Sequence, residues 1–152
     1  MVFCARGYGL YANLTRFVCF GPLFGQQQQL HQQMREIEAA ALDQCQMGVP
    51  LQHIFSRLKQ GYEQQGYPNA IHEHHQGGTN GYLAREIVAT SETTATLQPG
   101  MAIAWNPSLQ GAKIEDTFLI LEQGQLENLT LEPDWPNVTV HDRPRPLPLE
   151  IV

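Results

Sequence analysis

The second half of the sequence consists of short runs in which apolar and polar residues alternate, with no helix-length segment between them. The runs cover residues 86–90, 101–106, 113–121 and 126–130, and turns containing proline or glycine separate them. Alternation with a period of two is typical of β-strands, and short connections between consecutive strands favour antiparallel pairing. This half of the chain therefore predicts an antiparallel meander.

Two helices are predicted ahead of this sheet. Apolar residues recur at helical spacing from Leu30 to Cys45, after a glutamine-rich start, and a second apolar stripe runs from Leu51 to Tyr62. Before the helices, residues 9–20 read as a strand with residues 2–5 as its hairpin partner. A strand pair, two helices and then several strands indicate the α+β class, with both helices covering a sheet.

Composition limits the kinds of partner. A net charge of −6 and a sequence pI near 5.4 provide no basic field for a nucleic acid. The start of the chain does not resemble a signal peptide, and no apolar segment approaches the length of a membrane span, so we expect a cytoplasmic protein. The length of 152 residues predicts a single domain, residues 1–152, whose proline-rich end, residues 133–152, forms an extended strap.

The three cysteines are predicted to be reduced thiols in the core. Cys4, Cys19 and Cys45 are odd in number and lack the paired spacing of a disulfide framework or a cysteine zinc site.

Histidines are concentrated in the stretch IHEHHQGGTNGY, where His72, His74 and His75 precede two glycines. Such a stretch is compatible with a metal site, a catalytic site or a polar loop. On a strand, His72 and His74 would share a face, but no third ligand stands at a suitable spacing. A polar loop or strand edge is the commonest setting for histidines like these, and the stretch alone leaves all three interpretations open.

Glu115 is the most unusual carboxylate of the predicted sheet. In KIEDTFLIL, alternation places it on the same face as Leu119. Either this face is exposed and Lys113 pairs with Glu115 across the pleat, or Glu115 lies in a cleft and bonds to His75 or to a substrate amine.

Two arginines and two aromatic residues allow similar alternatives. Arg16 and Arg85 are either surface charges or groups that bind an anionic ligand, since a guanidinium grips a carboxylate with two parallel hydrogen bonds. Trp105 and Tyr82 are more often packing residues than walls of a substrate site.

Three segments, in the same order, resemble the pita-bread family that includes methionine aminopeptidase, aminopeptidase P, prolidase and creatinase. The run LQPGMAIAWNPSLQGAKIEDTFLILEQGQLENLT resembles the final hairpin of that family, GYGLYANLTRFVCFG resembles its G-Y-x-x-D-x-T-R-T strand, and His75 with Gly78 resembles its G-H-x-x-G turn. The resemblance covers nearly the whole chain. It implies a partial pita-bread fold, with a curved antiparallel sheet covered by two helices and without the family's N-terminal part.

The resemblance also implies a degenerate metal site. Active peptidases of this family hold two metal ions with two aspartates, one histidine and two glutamates, and these positions fall here on Val2, Asn13, His75, Asn106 and Glu115. Valine has no donor atom, and a neutral amide lacks the charge that offsets two divalent cations. We therefore expect no cofactor; Mn, Co or Zn would bind at His75 and Glu115 only if other groups completed the site.

Two functions follow from the resemblance. The first is a divergent hydrolase of the Xaa-Pro peptidase or creatinase type, acting on a small peptide or amide. His75 would shuttle a proton, Glu115 would orient it, and Arg85 would hold a carboxylate. The family's second histidine falls near Tyr82 or Arg85, and neither is a histidine. The expected substrate-binding residues are His72, His74, Tyr82 and Asn106.

The alternative function is a non-catalytic binding or assembly protein that retains the fold. The sheet begins at the start of the chain, and an apolar sheet edge is costly to leave in water. We therefore expect either a homodimer or a partner that supplies the family's N-terminal half.

Overall fold

The computed structural model describes residues 1–151. Three strands begin the chain: β1 (Val2–Gly7), β2 (Leu10–Thr15) and β3 (Val18–Phe20). Helices α1 (Gly25–Leu42) and α2 (Leu51–Gln64) follow, and a 3-10 helix spans Ala70–His72. The later strands are β4 (Gly77–Asn80), β5 (Ile87–Val88), β6 (Ala102–Trp105), β7 (Ser108–Leu109), β8 (Ala112–Lys113), β9 (Asp116–Ile120), β10 (Leu126–Asn128), β11 (Asn137–Val140), β12 (Arg143–Pro146) and β13 (Leu149–Ile151).

The main sheet has five strands in the order β10-β9-β6-β4-β5, and every neighbouring pair is antiparallel. The hairpin of β1 and β2 joins it through a bridge between Thr15 and Glu115. Both helices and the antiparallel sheet occur in the predicted order. The α+β prediction is therefore confirmed.

The helices bury their apolar stripes against the sheet. Trp105 of β6 is fully buried, and its Nε1 donates a hydrogen bond to Cys45 Sγ at 3.2 Å. Complete burial of a large apolar side chain stabilises a fold by roughly 1.5–3 kcal/mol, so this layer supplies much of the stability. Its main members are Met34, Ile37, Leu42, Leu51, Ile54, Leu58, Tyr62, Ile103, Phe118 and Ile120.

Of the three cysteines, Cys45 alone lies in this core. Cys4 is exposed on the β1–β2 hairpin and Cys19 is half-buried on β3, so the prediction of three core thiols is wrong for these two. Every residue of β1 is exposed, whereas Asn13 and Thr15 of β2 are buried.

Strand β4 is the main element that the sequence reasoning missed. The residues after the histidines read as a loop, yet β4 pairs with both β5 and β6 at the centre of the sheet. Gly78 has φ +149°, and a Cβ there would lie 1.9 Å from the carbonyl oxygen of Ile87. Glycine is therefore required for close approach of the strands. His72 and His74 precede β4, in the 3-10 helix and the turn after it, so the idea that they share a strand face is wrong.

Two predicted strands are interrupted. The run 9–20 divides into β2 and β3 at Arg16, and the run 113–121 divides into β8 and β9 around Glu115. The proline-rich strap forms the hairpin of β11 and β12, after which β13 pairs in parallel with β3. None of the helices in the described chain is long and apolar enough to cross a membrane.

A chain of buried charges connects the strap to the sheet. Arg145 of β12 is fully buried, and its Nε and Nη2 donate to the carboxylate of Glu38 on α1 at 2.8 and 2.7 Å. Its Nη1 lies 2.8 Å from Asp116 Oδ2, and Arg16 Nη2 lies 2.8 Å from Asp116 Oδ1. Thr130 Oγ1 also donates to Asp116 Oδ1. Arg16 is thus a buried, paired residue, neither a surface charge nor a group free to hold an anionic ligand.

Replacing Arg145 with methionine should lower the free energy of unfolding by about 3–5 kcal/mol, because it leaves two buried carboxylates without their shared cation. Arg143→Met is the matched control, since Arg143 pairs with Asp43 at a partly exposed site and should cost only about 0–1 kcal/mol. Urea unfolding followed by tryptophan fluorescence measures both variants. Equal losses of unfolding free energy in the two variants would contradict the claim that the buried ion pairs of Arg145 stabilise the fold.

Candidate functional site

Glu115 lies between β8 and β9 and is only 3% exposed. Arg85 Nη2 is 2.5 Å from Glu115 Oε1, and Lys113 Nζ is 3.8 Å from Oε2. Thr15 Oγ1 donates to Oε2 at 3.3 Å, and the backbone N–H of Thr15 donates to the Glu115 carbonyl at 2.9 Å. The interpretation of an exposed Glu115 is therefore wrong, although its pairing with Lys113 does occur.

Arg85 reaches Glu115 from the loop between β4 and β5. Its Nη1 donates to the carbonyl of Ala84 at 2.9 Å, and the same carbonyl accepts a hydrogen bond from Asn13 Nδ2 at 3.1 Å. The backbone N–H of Asn13 donates to Thr117 Oγ1 of β9. These contacts fix the arginine loop against β2 and β9. One buried carboxylate consequently faces two cationic side chains.

His75 is exposed in the turn before β4, and within residues 1–151 its ring forms no hydrogen bond with Glu115 or Arg85. Its pKa is lowered from the ordinary value, first by partial burial and then by the charges of Arg85, His74 and Lys113, whereas Glu115 acts in the opposite direction. A lowered pKa keeps the imidazole neutral and able to accept a proton near pH 7.

Both ring nitrogens of His74 form hydrogen bonds. Its Nδ1 lies 2.5 Å from the carbonyl oxygen of His75, and its Nε2 lies 2.5 Å from Ser108 Oγ. A carbonyl can only accept, so Nδ1 carries the proton, and in the neutral ring Nε2 accepts from the Ser108 hydroxyl. His74 thereby connects the turn before β4 to β7.

The remaining candidates are dispersed. His72 is exposed at the end of the 3-10 helix, and Tyr82 is 74% exposed in the loop that carries Arg85. Asn106 is buried just after β6; its backbone N–H donates to the Gln76 carbonyl, and its Oδ1 has no partner among the described residues. The structure thus brings Arg85 and Glu115 into direct contact, and the charges of both act on His75. His72 and Tyr82 are exposed and form no hydrogen bond or ion pair with these residues in the described chain.

Thr15 and Lys113 complete the surroundings of Glu115, and sequence reasoning assigned neither to the site. Alternation along β2 placed Thr15 on the same face as Asn13, and this was the available signal.

The residues at the expected ligand positions do not fit a pair of divalent cations. The hairpin register places Cys4 opposite Asn13, and Val2 on the same face contributes no donor atom. Asn13 uses its amide nitrogen on Ala84, and the carboxylate of Glu115 already faces Arg85 and Lys113. Within residues 1–151, no group of three or more histidine, cysteine, aspartate or glutamate side chains is arranged to hold a metal ion. Two added dications would face unbalanced positive charge.

This hairpin, helix pair and five-stranded sheet match the pita-bread fold. The model of metallopeptidase family M24 matches residues 1–122, and the chain belongs to this family.

Solved structures support the same fold. The X-Pro aminopeptidase from Thermotoga maritima superimposes with a TM-score of 0.75 at 24% identity, over 87% of this chain and 39% of that one. A prolidase from Pyrococcus furiosus superimposes with a TM-score of 0.76 at 20% identity, over 86% of this chain and 40% of the prolidase. The predicted pita-bread fold is therefore confirmed.

A sequence relative agrees with this placement. An uncharacterized peptidase of Staphylococcus haemolyticus is 29% identical over 119 residues, which cover 74% of this chain. The chain spans about a third of the length of the curated relatives it matches, 34% in this case.

Replacing Arg85 with methionine should raise the pKa of His75 toward its ordinary value, because the change removes a nearby positive charge and leaves Glu115 less compensated. NMR titration of the imidazole resonances measures this shift. Lys59→Met, on the exposed surface of α2, is the control and should leave the His75 titration unchanged. An unchanged titration in Arg85→Met would show that Arg85 does not act on His75.

Proposed function

We propose that this domain binds a small peptide or amide at the Glu115 site and does not cleave it with a pair of metal ions. The observation that carries this proposal is the ion pair between Arg85 and Glu115. In this arrangement the glutamate charge is balanced by side chains of the chain itself. We also propose that the metal site is degenerate and that the domain does not catalyse two-metal hydrolysis.

A zwitterionic dipeptide has the charges that this site could exchange. Its ammonium group can take the place of Arg85 beside Glu115, while its carboxylate bonds to the guanidinium that is released. Lys113 Nζ lies 3.8 Å from Glu115 Oε2, so it stays close enough to help balance the two carboxylate charges, that of Glu115 and that of the ligand. His74, Tyr82, Asn106 and His72 remain proposed contacts for the rest of the ligand. A cytoplasmic location also remains a prediction.

A second candidate is hydrolysis of a C–N bond without metal, which the neutral state of His75 favours. His75 would take a proton from water as the oxygen attacks the carbonyl carbon, and would then give that proton to the leaving nitrogen as the C–N bond breaks. Arg85 would hold a carboxylate of the substrate, and Glu115 would orient the protonated imidazole. This route keeps the roles that the resemblance implied for these three residues.

One experiment separates the alternatives. Wild-type protein is titrated with Ala-Pro dipeptide by NMR, and hydrolysis is followed with chelator and with added Mn²⁺. Binding without hydrolysis under both conditions is the expected result. Hydrolysis in chelator that disappears in His75→Gln would support the second candidate. Hydrolysis that requires Mn²⁺ would contradict both.

Restoring carboxylates at the expected ligand positions should create a metal site. The triple variant Val2→Asp, Asn13→Asp, Asn106→Glu should bind Mn²⁺ about tenfold more tightly than wild type, or better, because ligand charge governs the affinity of a divalent cation. Isothermal titration calorimetry measures both proteins. Tight binding of two ions by the wild type would refute the degenerate site, and no gain in the variant would refute the alignment of these positions.

We also propose that the chain self-associates through its first hairpin. Among the described strands, β1 pairs only with β2, and apolar side chains on this hairpin are exposed, including Val2, Phe3 and Leu10. A two-fold related copy is the commonest partner for such an edge. Light scattering at micromolar concentration should give the mass of a dimer or larger assembly. Phe3→Lys should reduce that mass, and Leu129→Lys, at an exposed apolar site elsewhere, should not. A single-chain mass for the wild type would count against this proposal.

A further inference from the structure

Arg35 is a buried cation whose side chain forms no hydrogen bond or ion pair within residues 1–151. It lies on α1 with only 9% of its surface exposed, and its Nε is buried without a hydrogen-bond acceptor in the described residues. No ion pair within residues 1–151 includes Arg35. Burial lowers the pKa of its guanidinium, the charge of the neighbouring Glu36 carboxylate acts in the opposite direction, and the charge of Arg145 lowers the pKa further. An unpaired buried charge is costly, and an anionic ligand would offset that cost.

A cavity of about 290 Å³ lies beside this guanidinium, between the first turns of α1 and the end of the strap. Gln28, His31 and Gln32 of α1 line one side with Arg35, and Leu147 and Pro148 line the other. A smaller cavity of about 10 Å³ shares His31, Arg35, Leu147 and Pro148 and extends toward Lys113. Glu115 lines neither cavity, and Lys113 lines only the smaller one.

The charges around the cavity favour a single negative charge. Arg35 forms no ion pair in residues 1–151; the charge of Glu36 raises its pKa and the charge of Arg145 lowers it. Arg16 is paired with Asp116, and Lys113 with Glu115. Glu150 at the rim is exposed, and its Oε1 accepts a hydrogen bond from the backbone of Leu23 at 3.3 Å. A second negative charge on the ligand would meet this carboxylate.

His31 contributes hydrogen bonding without charge. Burial, followed by the charge of Arg35, lowers the pKa of its imidazole to about 4. Its ring packs edge-on against Phe17, with 4.5 Å between the ring centroids. Near neutral pH the ring is therefore a neutral group at a defined position beside the guanidinium.

We infer that this cavity binds a small monocarboxylate with a short apolar substituent. Arg35 holds the carboxylate with two parallel hydrogen bonds, and His31 and the two glutamine amides supply the remaining polar contacts. The substituent lies against Leu23, Leu147 and Pro148. Such a site matches the usual design of small-molecule pockets, in which an apolar lining surrounds a few convergent polar groups.

The test uses isovalerate and its neutral isostere isovaleramide as probes for the wild-type protein. Calorimetry or NMR titration should show isovalerate binding about tenfold more tightly than the amide, or better, because only the anion pairs with Arg35. Arg35→Met should abolish this preference. Arg57→Met is the matched control, since Arg57 is a half-buried arginine on α2 outside the cavity, and it should bind like the wild type.

The imidazole resonances of His31 locate the bound probe independently of any variant. Isovalerate should shift them and leave those of His75 unchanged. Arg35→Met should fold as stably as the wild type in urea, because the Arg35 side chain forms no ion pair or hydrogen bond within residues 1–151. Equal affinity for acid and amide, an unchanged preference in Arg35→Met, or shifts at His75 instead of His31 would each overturn the assignment.

Discussion

Asp116 lies between two arginines in the interior of the protein, and this arrangement connects segments that are far apart in the sequence. Arg145 joins it to Glu38 on α1, and Arg16 joins it to the end of the first hairpin. Buried ions are tolerated when each finds partners, and here the charges alternate from α1 through the strap to β9 and the hairpin. The position of the strap and the start of β9 both depend on this series of buried ion pairs.

Glu115 precedes Asp116, so the buried ions also fix the position of the candidate site. Asp116 is directed toward Arg145, whereas Glu115 contacts Arg85 and Lys113. In the active enzymes that the sequence resembles, the corresponding glutamate is expected to hold metal. In this protein Arg85 and Lys113 balance the charge of the glutamate at that position. This difference in charge balance underlies the proposed loss of two-metal chemistry.

The elements with strong local periodicity were predictable from the sequence. Both helices and the strands of the meander carry apolar stripes that identify them, and three short motifs identified the family. Strand β4 was not predictable from periodicity because Gly77 and Gly78 carry no apolar pattern, and a Cβ at either position would clash with a neighbouring strand. Arg85 and Glu115 are 30 residues apart in the sequence, and the loop that carries Arg85 brings their side chains together. Residue spacing alone does not predict this ion pair. The buried state of Arg16 and Arg145 likewise depends on tertiary pairing.

The central claim is that side chains of the chain, and not metal ions, balance the charge of Glu115. Anomalous X-ray scattering from crystals soaked in Mn²⁺ tests it most directly, because the method locates manganese without reference to activity. The account predicts an intact ion pair between Arg85 and Glu115 and no anomalous peak beside that carboxylate. Two peaks bridged by Glu115, with Arg85 displaced, would contradict it.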